Sequence, residues 1–119
     1  MARNPFLEWL APEALFRGEG RAELRVGVRP EFLQGQGKVH GGILASLLDT
    51  AMGSAAASLG GRVVTVDLSL SYLRPTVGPV LVAEARVVRA GDRLVFVEGW
   101  VREDGGEVVL GKGVFMRVG

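Results

Sequence analysis

Polar and apolar residues follow two different periods along this chain, and the change of period marks its elements. Ala22, Leu24, Val26 and Val28 are interleaved with Arg21, Glu23, Arg25 and Arg29, the period-two pattern of a strand with one face buried, ending at Pro30. Residues 43–59 read differently. Their small, unbranched side chains favour helix, Gly60 and Gly61 close it, and Asp49 is the only charge along it. A helix apolar around nearly its whole circumference must be enclosed by other elements. Ahead of the first strand, Phe6, Leu7, Leu10, Leu15 and Phe16 are spaced as a short, broken amphipathic helix over 5–16, limited by Pro12. That spacing predicts a helical flap within residues 1–17. After the long helix the pattern returns to strands over 63–73, 80–89, 94–102 and 107–118.

The loops Ala90-Gly91-Asp92 and Asp104-Gly105-Gly106 suit hairpins, whereas parallel pairing needs long crossovers that the chain lacks. The last four strands are therefore expected to form an antiparallel meander. One strand, one enclosed helix and four further strands predict an α+β architecture, a curved antiparallel sheet wrapped around one long central helix. At 119 residues the chain has the size of one domain, and 1–119 is expected to fold as one. Open sheet edges invite pairing with another chain, so a homodimer is expected.

Composition narrows the function by exclusion. Fourteen basic residues against thirteen acidic ones leave a formal charge of +1, with no general field to hold nucleic acid. The absence of cysteine removes disulfides, thiolate metal ligands and a thiol nucleophile together, and a single histidine gives no imidazole cluster. Ser46, Asp49, Thr50, Ser54 and Ser58 make the long helix too polar for a membrane span, and Glu8 and Glu13 interrupt the apolar start, so no signal peptide is read there. A cytoplasmic protein is expected. The glycine-rich stretches 18–20 and 35–37 lack the strand-loop-helix setting of a phosphate-binding loop, and no cofactor or metal is assigned.

Asp49 remains to be explained. An ionised carboxylate in an apolar helix costs several kcal/mol unless hydrogen bonds or a watery pocket compensate it. Either it reaches the surface or pairs with an arginine such as Arg74, or it faces a cavity as a base or nucleophile. His40-Gly41-Gly42 stands immediately before the helix, where free backbone N–H groups and the positive end of the helix dipole favour an oxyanion. A carbonyl resting on the Gly41 N–H would be polarised, while a carboxylate could attack it or activate water. Asp49 follows His40 by nine residues, about 10–13 Å along the axis. One chain does not bridge that distance comfortably, so a composite site is expected, with the helix start of one subunit meeting Asp49 of its dimer partner.

The run G-x-x-H-G-G-x-x-x-x-x-x-D from Gly37 to Asp49 resembles the signature of the hotdog thioesterases, above all the phenylacetic-acid-pathway group and the similar 4-hydroxybenzoyl-CoA thioesterases. Thr65-Val66-Asp67-Leu68-Ser69-Leu70-Ser71-Tyr72-Leu73-Arg74-Pro75 is similar to the family's strand after the helix. The resemblance covers about residues 32–118. It implies the hotdog fold and an acyl-CoA thioesterase that hydrolyses a small or aromatic acyl-CoA without cofactor, as a homodimer assembled into a homotetramer. It implies Asp49 as nucleophile or general base, the Gly41 N–H as polariser of the thioester carbonyl, and His40 and Gly42 as the shape of the substrate-binding loop. Gln34 falls where the family usually has Asn, near the carbonyl or the attacking water, and Thr65 where a hydroxyl can hold the water or the carboxylate. Coenzyme A carries phosphates, for which Arg74, Arg89 and Arg93 are candidates. The competing readings are a hotdog dehydratase or hydratase and a non-catalytic acyl-CoA-binding or regulatory domain.

Overall fold

A computed structural model describes residues 4–119. Its elements in chain order are α1 (Pro5–Leu10), β1 (Glu13–Gly18), β2 (Arg21–Gly27), a 3-10 turn at Pro30–Phe32, α2 (Gly41–Ala57), β3 (Val63–Tyr72), β4 (Val80–Ala90), β5 (Leu94–Glu103) and β6 (Gly106–Arg117). All six strands join one antiparallel sheet in the order β1-β2-β4-β5-β6-β3, and α2 packs against every one of them.

The long helix begins two residues earlier than its apolar run. Gly41 and Gly42 are poor helix formers, but the His40 side chain accepts the Gly42 N–H through Nδ1 at 2.8 Å and caps the first turn. Leu44, Leu47, Leu48, Ala51, Met52, Ala55 and Ala56 are buried against the sheet, each large side chain contributing about 1.5–3 kcal/mol relative to exposure. The sheet makes room for them with glycine. Gly99 of β5 pairs directly with Gly111 of β6, and Leu48 lies over both. A Cβ on Gly99 would come within 2.9 Å of Leu48 Cδ1, and one on Gly111 within 2.7 Å of Leu48 Cδ2.

Two expectations are corrected. Residues 5–16 are not one broken helix. α1 ends at Leu10, with Ala11 at φ 55, and residues 13–18 form β1, paired with β2 through a turn in which Glu19 and Gly20 have φ 54 and 79. Residues 13–17 of β1 are exposed and only Gly18 at its end is half-buried, so no alternation betrays the strand, and only the free edge of β2 draws it in. Of the flap expected over 1–17, residues 1–3 lie outside the described residues. What remains is clamped by Arg29, whose guanidinium lies 4.6 Å from the Trp9 ring centre and 4.2 Å from that of Phe32. It also donates to the carbonyls of Trp9 and Leu10, closing the end of α1.

The meander has three strands, not four. β4, β5 and β6 run on through tight turns as expected, but β3 pairs with β6 at the far edge instead of with β4. The connection from Leu73 to Pro79 carries two prolines and is not a tight hairpin. β4 instead joins β2, which has its own edge to satisfy. This places β3 at an open edge, with β6 its one strand partner among the described residues.

Candidate active site

Asp49 stands at the middle of α2, half-buried, on the stripe of that helix which the sheet leaves uncovered. Ser46, Asp49, Thr50, Gly53 and Ala57 recur there at helical spacing and line a cleft of about 600 Å³. The neighbouring hydroxyls are already committed. Ser46 Oγ donates to the Gly42 carbonyl at 2.8 Å and Thr50 Oγ1 to the Ser46 carbonyl at 2.7 Å, back-bonds that take their protons away from the cleft. Across it, Thr65 Oγ1 on β3 donates to Asp49 Oδ1 at 2.8 Å. Oδ2 has no partner among the described residues.

Arg74, the cation weighed above as a partner for Asp49, is elsewhere: it pairs with Glu103 at 3.6 Å and donates to the Gly106 carbonyl at 3.3 Å. Asp49 is thus neither locked in an ion pair nor turned wholly to solvent. Phe6, Leu7, Val63 and Phe115 give the cleft apolar walls, and Arg17 and Arg62 bring two cations to it. Nothing in the local pattern marks these arginines. The place of Arg17 depends on β1 being a strand, and Arg62 falls in an ordinary polar connection.

The helix start forms a second arrangement. With His40 Nδ1 accepting the Gly42 N–H, the proton of a neutral His40 ring belongs on Nε2. The Gly41 N–H has no hydrogen bond among the described residues, so a donor at the positive end of a 17-residue helix is left for a ligand. The Gly41 peptide is held from its other side by Tyr72, whose hydroxyl donates to the Gly41 carbonyl at 2.8 Å. Tyr72 belongs to the motif run, but sequence reasoning gave it no role. Gln34 Oε1 accepts the N–H of Gln36 and, at 3.3 Å, that of Lys38, which leaves its amide NH2 as the free end. Gln34, Gly41, Tyr72 and Arg74 line a second cleft of about 480 Å³. Arg89 and Arg93 line neither cleft.

The expected residues therefore divide into two groups. Asp49 and Thr65 share one cleft; Gln34, Gly41 and Arg74 share the other, with His40 and Gly42 at the helix start beside it. Gly41 and Asp49 are eight residues apart on one helix, about 12 Å. A single thioester does not touch both within one chain.

The sequence profile of the thioesterase superfamily matches residues 36–110, a stretch that takes in the helix start, Asp49, Thr65 and Arg74. A candidate esterase of Halobacterium salinarum is 41% identical over 88 residues, which is 67% of this chain and 58% of that protein, so the matched part spans little more than half of the relative. The PaaI protein of the Escherichia coli phenylacetic acid degradation operon superposes with a TM-score of 0.93 at 28% identity, covering 98% of this chain and 86% of that one. A Bacillus halodurans protein solved with CoA superposes with a TM-score of 0.89 at 35% identity, over 98% and 80% of the two chains.

Proposed function

The chain belongs to the thioesterase superfamily and has the hotdog fold, and on that premise we propose that it is an acyl-CoA thioesterase acting on a small or aromatic acyl group. The observation that carries the reading is a half-buried carboxylate with one oxygen held by Thr65 and the other free, in a cleft with apolar walls. The CoA bound to the Bacillus halodurans neighbour and the operon of the Escherichia coli one support a CoA ester and an aromatic acid respectively. A CoA ester in turn implies the cytoplasm, where coenzyme A is held.

In this mechanism the thioester oxygen rests on the Gly41 N–H, where the helix dipole stabilises the charge that develops on it. Asp49 either attacks the carbonyl carbon, expelling the thiolate and giving an anhydride, and the water that opens the anhydride supplies the proton the thiolate takes up; or it takes a proton from the attacking water and passes it to the departing thiolate. Thr65 orients the carboxylate, Tyr72 and His40 hold the helix start, and the Gln34 NH2 is a second donor for the carbonyl or the water. Arg74, on the rim beside Gly41, faces the phosphates of the carrier.

The two halves meet in a dimer. β3 is a ten-residue edge strand exposing Val64 and Val66, at 45% and 55%, the kind of edge that another strand covers. Tyr72 holds Gly41 near one end of β3 and Thr65 holds Asp49 near the other, about 24 Å apart in an extended strand. Antiparallel pairing of β3 with its own copy about a two-fold axis near Leu68 and Ser69 sets these ends opposite one another, Gly41 of one subunit facing Asp49 of the other. The exposed Val88, Phe96 and Leu110 on the outer face of the sheet support a further pairing of dimers into a homotetramer.

Thiol release from acetyl-, butyryl-, octanoyl-, benzoyl- and phenylacetyl-CoA tests the activity, and at least one ester should be hydrolysed far above its uncatalysed rate. Binding of all five with no thiol released would mark a binding module, and hydration of an enoyl-CoA in its place a hydratase. The dimer has its own test. Val66→Asp should convert the sedimenting dimer to monomer and abolish turnover while the circular dichroism spectrum is retained; a fully active monomer would refute the composite site.

A further inference from the structure

The cleft beside Asp49 holds more positive charge than the hydrolysis requires. Arg17 and Arg62 line it together with Asp49, and no other carboxylate does. Six of the eleven arginines among the described residues are engaged: Arg25 with Glu13, Arg74 with Glu103, Arg86 with Glu98, Arg102 with Glu84, Arg29 with two carbonyls and two rings, and Arg117 with the carbonyls of Gly60 and Gly91. Arg17 and Arg62 have no ion pair among the described residues. Arg17 is positioned by its Nε, which donates to Ser54 Oγ at 3.1 Å, so the two-nitrogen end of its guanidinium remains free. Each guanidinium presents a fork that fits a carboxylate or a phosphate.

Their place along the helix sets a length. Ser54 lies five residues beyond Asp49 and Ala57, the last residue of α2, eight beyond it, which is about 7–12 Å along the axis. Beyond Asp49 and Thr50 the helix lines the cleft with Gly53 and Ala57, Phe115 lies against Gly53, and Leu7 and Val63 add further apolar lining. A ligand whose carbonyl lies at Asp49 thus crosses an apolar stretch and ends among cations. We propose that Arg17 and Arg62 form an anion-recognising end of the acyl pocket, which widens its substrates from small and aromatic acyl groups to the CoA monothioester of a dicarboxylic acid of medium length, bound through its free carboxylate. A phosphate of the carrier has the same chemistry as the carboxylate, and free coenzyme A as a probe distinguishes the two. The proposal rests on the thioesterase reading for the identity of its ligand, whereas the charge and spacing it uses are independent of hydrolysis.

Suberyl-CoA and octanoyl-CoA share chain length and carrier and differ at the far end by a carboxylate. Their binding to the slowly turning over Asp49→Asn protein, measured by calorimetry with coenzyme A as a third probe, separates this proposal from the question of activity. Arg17→Gln and Arg62→Gln should each weaken suberyl-CoA about tenfold while octanoyl-CoA and coenzyme A change less than about twofold, since one charge-assisted fork is lost. In the parent protein the same substitutions should raise KM for suberyl-CoA and leave KM for octanoyl-CoA unchanged. Equal weakening of both esters and of coenzyme A would assign the arginines to a carrier phosphate and overturn the proposal, as would no change for any probe. Unchanged melting temperatures, expected for exposed side chains, exclude misfolding as the cause.

Discussion

Asp49→Asn is expected to lower kcat for thiol release by at least about a hundredfold while the protein keeps its fold, because a general base or nucleophile is removed without a change of shape. The Asn oxygen still accepts from the Thr65 hydroxyl, which now holds Asp49 Oδ1 at 2.8 Å, so what is lost is the charge. Gly41→Pro removes the opposite half-site with equal economy. Gly41 is the first residue of α2, its N–H is unpaired, and His40 ahead of it has φ −63 and ψ 135, a conformation that accepts a following proline at a position where proline suits a helix. A loss of about 10²–10³ in kcat is expected, that of one oxyanion donor. The decisive measurement combines the two. When the inactive variants are co-expressed, half of the dimers are mixed and each mixed dimer has one intact composite site, so about a quarter of the parent activity should return. No recovery, with mixed dimers shown to form, would mean that each chain works alone.

The second large effect concerns stability. Leu48 is fully buried and lies over the Gly99–Gly111 pair. Leu48→Ala should cost about 2–5 kcal/mol in chemical denaturation, through lost burial and the cavity left behind. Gly111→Ala drives a methyl to 2.7 Å from both Leu48 Cδ2 and Leu70 Cδ2 and should cost about 1–3 kcal/mol through overpacking. The double variant should be more stable than the sum of the two by at least about 1 kcal/mol, since the new methyl enters space that Leu48 has vacated. Strict additivity would show that helix and sheet do not meet through this contact.

The residues that carry the proposed chemistry were legible to very different degrees. Asp49 announced itself as one charge in an apolar helix, and His40-Gly41-Gly42 as a helix start with amides to spare, because both signals are contained in a few neighbouring residues. Thr65 was marked by its place in a motif, but its hydrogen bond to Asp49 spans sixteen residues and joins a strand to a helix. Tyr72 was passed over for the same reason, since only the packing of β3 beside the start of α2 turns its hydroxyl onto Gly41. Arg17 was unreadable because β1 itself was: six residues without a buried alternation become a strand only through the backbone bonds that the edge of β2 offers.

What this sequence determined by itself is therefore local: the long helix, its glycine start, its single charge, the strand before it and the four after it by their pattern, and the hairpin loops at residues 90–92 and 104–106. What the tertiary structure decided is which edges pair. It put β3 next to β6 at an open edge, β4 next to β2, and two arginines beside the carboxylate. The physical reason is that strand pairing is made by backbone amides and carbonyls, which are alike in every strand. Side-chain pattern chooses the face a strand buries, and turn length limits its nearest neighbour, but the order of strands in a sheet follows from closing the whole core at once.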